Sequence, residues 1–185
     1  MGVNRGKQFE DAIKKAFLKH PDISFDRFPD PMAGYAGIRN ICDFGVYRTP
    51  YQYYFECKTC SGNTLNFASA ITKDQWGGLV EKSKIPGVVA GIIVWFIKHD
   101  ITTFVPIQEL KRIRDAGAKS LNVKHLAIGN PLNDDQVLNI RIPGRKKRIL
   151  FEYAAKTFLD NLDQWAGKKW GKEVVGAWRR YRNQH

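Results

Sequence analysis

The sequence predicts a mixed α/β protein: a β-sheet flanked by helices, followed by a basic helical C-terminal extension. Three observations lead there. Segments with three- and four-residue apolar spacing alternate with strand-length apolar runs. The 185 residues suit one compact domain plus an appendage. With 43% hydrophobic and 12% aromatic residues the chain can bury a core, which excludes wholesale disorder.

Asn4 is placed to cap a helix over about 5–19, whose buried stripe is Phe9, Ala12, Ile13, Ala16 and Phe17. Pro21, Pro29, Pro31, Gly34 and Gly37 then break the pattern into a loop over 20–40. Two strand-like runs follow, 41–47 and 52–59, joined at Arg48-Thr49-Pro50. After the polar Ser61-Gly62-Asn63, a helix is expected from Thr72 to about Lys84. Residues 88–97 are almost wholly apolar, as in a strand covered on both faces. Residues 101–105 read as a short strand ending at Pro106, and 107–116 as a helix stopped by Gly117. The stretch 118–149 reads as irregular and carries the basic run Arg145-Lys146-Lys147-Arg148. Residues 150–163 read as an amphipathic helix with Phe151, Ala154, Ala155, Phe158 and Leu162 on one face. Residues 170–182 carry Val174, Trp178 and Tyr181 at helical spacing. The expected division is a core over 1–140 and a tail over 141–185.

The net charge of +12 is unevenly held. Residues 141–185 contain 12 of the 30 Lys and Arg but four of the 18 Asp and Glu, so two-thirds of the surplus lies in the last quarter of the chain. Release of condensed counterions draws such a chain to nucleic acid. The tail interleaves Trp165, Trp170, Trp178 and Tyr181 with Lys168, Lys169, Lys172, Arg179 and Arg180. That composition suits branched or single-stranded DNA, or a helix docked on the core or on a partner subunit. It lacks the long apolar face of a membrane-surface helix, and no apolar run approaches the roughly 18–20 residues of a bilayer span. Three cysteines, an odd and sparse set, point to a reducing cytoplasm. The opening Asn4, Arg5 and Lys7, with no apolar stretch beside them, point away from secretion.

Chemistry concentrates in Asp43-x12-Glu56-x-Lys58. Residues i and i+2 of a strand share a face, so Glu56 and Lys58 project together while Phe55 and Cys57 face the other way. Asp43 lies on the preceding strand, opposite in face to Cys42, Phe44 and Val46, and hairpin pairing can bring its carboxylate beside Glu56. Glu10, three and seven residues before Ile13 and Phe17, sits at the border of the helical stripe and can lean into the same sheet edge. Carboxylates and an ammonium gathered on an apolar sheet are costly to desolvate unless something offsets the charge. A hard divalent cation does so: Mg²⁺, with Mn²⁺ as the alternative, takes oxygen ligands and keeps several waters. Lys58 would then help to position or deprotonate an attacking water.

This arrangement resembles the PD-(D/E)XK nuclease superfamily, whose core has the same helix–strand–strand–helix–strand order. More narrowly, Asn4-Arg5-Gly6-x-x-Phe9-Glu10, Cys42-Asp43-Phe44, Phe55-Glu56-Cys57-Lys58 and Asp74-Gln75 are similar to motifs of RecU-type and phage-type Holliday junction resolvases. The similarity spans residues 4–116 and implies a restriction-endonuclease-like core. By resemblance, Glu10, Asp43 and Glu56 hold metal, Lys58 activates water and Gln75 supports it. The implied activity is a Mg²⁺-dependent endodeoxyribonuclease that resolves four-way junctions by paired nicks, working as a homodimer and, if phage-encoded, in the host cytoplasm. The basic residues expected on the DNA are Arg5, Lys7, Arg27, Arg39, Arg145, Lys146, Lys147 and Arg148, with Tyr35 joining Arg27 and Arg39 in a small wedge. The sequence departs from the family in two places. Cys42 stands where a Pro precedes the Asp, and the short 20–40 loop replaces the long stalk of the bacterial relatives. Asp30, after Pro29, is a backup ligand.

Three competing functions keep the same residues: a flap, fork or duplex-end nuclease of this fold, a non-catalytic DNA-binding recombination accessory, and an RNA-processing nuclease. Among smaller motifs, Thr72-x-x-Gln75 is also a capping box. Cys57-x-x-Cys60 lacks a second pair and reads as buried thiols. The four histidines show no ligand spacing, and without a Walker-type loop no nucleotide cofactor is expected.

Overall fold

The structure is a computed structural model that describes residues 4–28, 40–126, 137–147 and 150–184, and the backbone alone of 145–147, 150–151 and 173–184. Helix α1 (Arg5–Phe17) starts where Asn4 Oδ1 accepts the Lys7 N–H at 3.2 Å, and it buries Phe9, Ile13, Ala16 and Phe17. The loop expected over 20–40 is interrupted by strand β1 (Ser24–Arg27), antiparallel to β2 (Phe44–Arg48). Only Phe25 of β1 turns inward, against Phe17 and Phe44 at 5.8 and 5.1 Å between ring centroids. One inward side chain leaves no alternation to read.

Strand β2 forms a hairpin with β3 (Tyr51–Cys60) in the register Phe44 opposite Phe55. Strand β4 (Thr64–Asn66), helix α2 (Phe67–Ala70) and helix α3 (Lys73–Lys82) cross over to β5 (Val88–Phe96), which runs parallel to β3 with Glu56 opposite Ile92. Strand β6 (Ile101–Pro106) returns antiparallel, and α4 (Ile107–Asp115) ends at Gly117, whose φ of 97° suits a residue without Cβ. Strand β7 (Ser120–Asn122) pairs with β4, and β8 (Ile140–Arg141) adds to β6. Strands β9 (Gly144–Lys147) and β10 (Leu150–Tyr153) form a hairpin before α5 (Ala155–Gln184).

The main sheet has the order β1-β2-β3-β5-β6-β8, antiparallel except for the β3–β5 pair. A mixed sheet flanked by helices is thus the observed class. Two expectations are corrected. The stretch 118–149, expected to be irregular, holds β7, β8 and β9. The helix expected over 150–163 begins only at Ala155, because residues 150–153 pair with the basic run instead; Phe151 stands opposite Lys146 and Ala154 precedes the helix. The two tail segments are one helix of 30 residues.

Alternation along β3 and β5 divides the interior into two layers. Tyr53, Phe55, Cys57, Ile93 and Trp95 face α1 and the first half of α5. Ile92, Val94 and Phe96 face α2, α3 and α4. Phe158 of α5 meets Phe55 at 5.9 Å and Phe104 at 6.2 Å between ring centroids, so the start of the extension is part of the core. Gly78 lets α3 approach the segment before β2: a Cβ there would lie 2.2 Å from the Ile41 side chain. Among the described residues no helix is long and apolar enough to cross a membrane.

Candidate active site

The β2–β3 ladder stops at the Phe44–Phe55 pair, and that ending builds the site. Asp43 donates its backbone N–H to Phe55 O at 3.1 Å, and its Oδ2 then accepts the Cys57 N–H at 2.7 Å. The Asp43 side chain thereby replaces the next rung of the ladder and is held beside β3. Cys42, expected to share a layer with Phe44 and Val46, is buried in the opposite one, because the chain bends at Asp43. On β3, Phe55 and Cys57 point into the α1 layer and Glu56 and Lys58 point away from it, as the i, i+2 rule requires.

Glu56 is 2% exposed. Its Oε1 lies 2.6 Å from Lys58 Nζ and accepts the Gln75 Nε2 hydrogen at 2.6 Å. Gln75 performs the capping role as well: its N–H donates to Thr72 Oγ1 at 3.2 Å, and its Oε1 accepts the Thr72 N–H at 3.1 Å and the Lys58 ammonium at 3.5 Å. The first turn of α3 is therefore tied to both charged residues of β3. Glu56 Oε2 is buried with no hydrogen-bond partner among the described residues. Burial, then the Asp43 charge, and more weakly Glu10, push the Glu56 carboxyl up to about 7 against the opposing pull of Lys58. Burial and the same carboxylates hold the Cys57 thiol protonated, well above its usual range.

Glu10 reaches this edge from α1, near enough to act on Glu56, while Arg27 Nη2 lies 3.9 Å from its carboxylate. The donor set fits a hard cation: carboxylate oxygens, one of them buried with no hydrogen-bond partner among the described residues, and neighbouring carboxylates whose charge acts on Glu56. The ligands are not preassembled. Among the described residues no three His, Cys, Asp or Glu side chains come together closely enough to hold a metal ion, and Glu56 Oε1 and Asp43 Oδ2 are engaged by protein donors.

The structure thus brings Glu10, Asp43, Glu56, Lys58 and Gln75 to one sheet edge. Of the expected DNA contacts, Arg5 and Lys7 are exposed at the start of α1, and Arg27 is exposed beside Glu10. Asp30, Tyr35, Arg39 and Arg148, and the side chains of Arg145, Lys146 and Lys147, lie outside the described residues. Cys57 and Cys60 are free, buried and in different layers, so the C-x-x-C cannot close on one ion. The backbone N–H of Cys57, which holds Asp43, had no sequence signal, because every residue carries the same group.

No protein-family model and no curated protein matches the chain. Among solved structures it is similar to that of Archaeoglobus fulgidus Hjc, a Holliday junction resolvase from an archaeal hyperthermophile, at 19% identity. The alignment has a TM-score of 0.46 and covers 64% of this chain and 89% of that one, too distant to assign a role to any residue.

Proposed function

We propose that this chain is a divalent-cation-dependent, structure-selective DNA endonuclease that resolves four-way junctions. One observation carries the catalytic part: a buried carboxylate, Glu56, clamped by Lys58 and Gln75 at 2.6 Å each, with its second oxygen unpartnered among the described residues and Asp43 alongside. Asp43 and Glu56, with Glu10 from α1, would hold the cation. When bound, Mg²⁺ supplies a Lewis acid for the scissile phosphate and lowers the pKa of a coordinated water. Lys58 stands beside Glu56 to orient the water and stabilise charge developing on the phosphate. Gln75 keeps Lys58 and Glu56 in register. The net charge of +12, concentrated in residues 141–185, supports phosphate contacts by the tail while residues 1–140 carry the chemistry.

The substrate class rests on the resemblance of the four motifs to junction resolvases. Cutting two related strands of a four-way junction calls for a two-fold dimer, which would place two such sites on one substrate. The test is cleavage of a labelled, immobile four-way junction with Mg²⁺, Mn²⁺ or EDTA, beside duplex, flap and fork controls. Paired nicks on opposing strands of the junction alone, dependent on the cation, are expected. Cleavage of flaps or ends instead would overturn the junction assignment and leave a nuclease. Tight junction binding without cutting in either metal would overturn the enzyme.

A further inference from the structure

A cleft of about 530 Å³ opens between α2, the first turn of α3 and the turn after α4. That volume lies within the roughly 300–1,000 Å³ of small-ligand sites. Its floor is apolar and aromatic, built from Phe67, Ile71 and Trp76. Its rim carries three exposed cations, Lys73, Arg114 and Lys119, and among the described residues no acidic side chain lines it. The cleft adjoins the carboxylate cluster through α3: Thr72 belongs to the cleft wall and forms the capping box with Gln75, whose Nε2 holds Glu56.

The rim is oriented. The Arg114 guanidinium carbon lies 4.0 Å from the Trp76 ring centroid, over its face, and Trp76 is in turn braced by Phe67 at 5.7 Å and 56°. A guanidinium stacked on an indole keeps its donor fork in a fixed plane and can itself act as a stacking platform. An aromatic floor of two inclined rings, beside a guanidinium stacked on one of them and two flexible ammonium groups, complements a ligand that is planar at one end and polyanionic at the other. A nucleotide is such a ligand. Continuous duplex offers the cleft phosphates only, because its bases are stacked inside. An acidic peptide satisfies the cations but has no use for the aromatic floor.

We propose that this cleft takes one unstacked nucleotide of a DNA strand, with the base against Phe67, Trp76 and the Arg114 plane and the phosphates on Lys73, Arg114 and Lys119. That this is the strand led to Glu56 rests on the endonuclease reading; nucleotide binding by the cleft does not. The consequence is a preference for DNA whose stacking is interrupted, set by a surface separate from the tail.

The test is fluorescence anisotropy of a labelled oligodeoxythymidylate of about ten nucleotides with the full-length chain in EDTA, where nothing is cut. The variants are R114A/K119A, which alters exposed side chains, and R114K; thermal melts confirm that both fold. The double variant is expected to lose about tenfold or more in affinity for the single strand and less for a duplex of equal length. Its salt dependence should flatten by about 1.4 in log–log slope, about 0.7 for each phosphate contact removed. R114K should restore the slope contributed by that charge but not the stacking affinity. Single-strand affinity unchanged in the double variant would overturn the proposal, as would equal competition by polyglutamate. The two readings fail separately: a chain that cuts no DNA but binds through Arg114 keeps the cleft and loses the nuclease, whereas a chain that cuts junctions with single-strand binding indifferent to Arg114 and Lys119 does the reverse.

Discussion

Strand β3 is flanked by two charged clusters, and they are built oppositely. At its start, Arg48 meets α5: Nη2 lies 2.7 Å from Asp160 and Nη1 2.9 Å from Asp163, while Tyr53 donates to Asp163 and Lys156 lies 2.8 Å from Asp160. Two cations answer two carboxylates. The Asp160 carboxyl accordingly lies below its usual range, through hydrogen bonds from Lys156 and Arg48. Asp163 is pushed up by burial in spite of Arg48 and Tyr53. At the other end, Lys58 lies 2.6 Å from Glu56, the Asp43 and Glu10 charges act on Glu56, and Arg27 lies 3.9 Å from Glu10. Burial foremost drives Glu56 up to about 7, and among the described residues its Oε2, like Arg48 Nη1 in the first cluster, has no aligned hydrogen-bond partner. A charge-balanced cluster ties a helix to a sheet. The other holds a buried carboxylate, Glu56, whose Oε2 has no hydrogen-bond partner among the described residues, and this makes it the catalytic candidate.

The strongest way to break the contrast is to neutralise the unbalanced cluster. Glu56→Gln and Lys58→Met are each expected to lower junction cleavage by at least about a hundredfold, the order that positioned acid–base groups contribute. Binding measured in EDTA should persist. Single-turnover cleavage with purified, folded variants checks this, and near wild-type rates in either would remove that residue from the chemistry. Gln75→Ala comes next. It frees Lys58 and Glu56 from α3 and, by analogy with residues that orient metal ligands, should cost about 10–100-fold in rate or cation affinity. A Mg²⁺ titration of the variant's cleavage rate separates the two.

How much of this was legible follows from which contacts are local. The periods of α1, β3 and β5 were readable because long segments bury one face or both, and pairing the two strands as a hairpin allowed Asp43 to come beside Glu56. Strand β1 was not readable, since four residues with one inward side chain carry no period, and β8, with two, carries less. The 150–154 error has another cause: the spacing of Phe151, Ala154, Ala155, Phe158 and Leu162 fits a helix, but pairing with residues 144–147 decides the first four positions. The Thr72–Gln75 box was legible as a local motif. Its grip on Glu56 depends on how the crossover returns to the sheet, and the Arg114–Trp76 stack joins residues on two different helices.

The balanced cluster predicts the converse phenotype. Arg48→Met leaves Asp160 and Asp163 without their shared guanidinium at a partly buried junction of the hairpin and α5. A loss of about 1–3 kcal/mol in unfolding free energy is expected, less than for a fully buried pair because Arg48 keeps 21% exposure. Cleavage per folded molecule should match wild type. Urea unfolding beside a rate measurement at low temperature tests this, and a rate loss without a stability loss would reverse the roles given to the two clusters.

The unbalanced cluster can also be read from stability alone, through the titration of Glu56 in EDTA. Its folded carboxyl titrates at about 7, above its usual 4.5, so between those values the folded chain holds a proton that the unfolded chain has released. A raised carboxyl makes its largest relative contribution to stability below about pH 4.5 and loses it as pH climbs through 7, at up to about 1.4 kcal/mol per pH unit. Glu56→Gln removes that proton site and leaves the balanced cluster untouched. The stability of the variant relative to wild type should therefore rise between pH 5 and pH 8 along the slope set by that single group. Melts at matched ionic strength read the difference directly. A gap that stays flat across the window would mean that Glu56 ionises like an ordinary carboxylate, held protonated neither by its burial nor by the Asp43 charge.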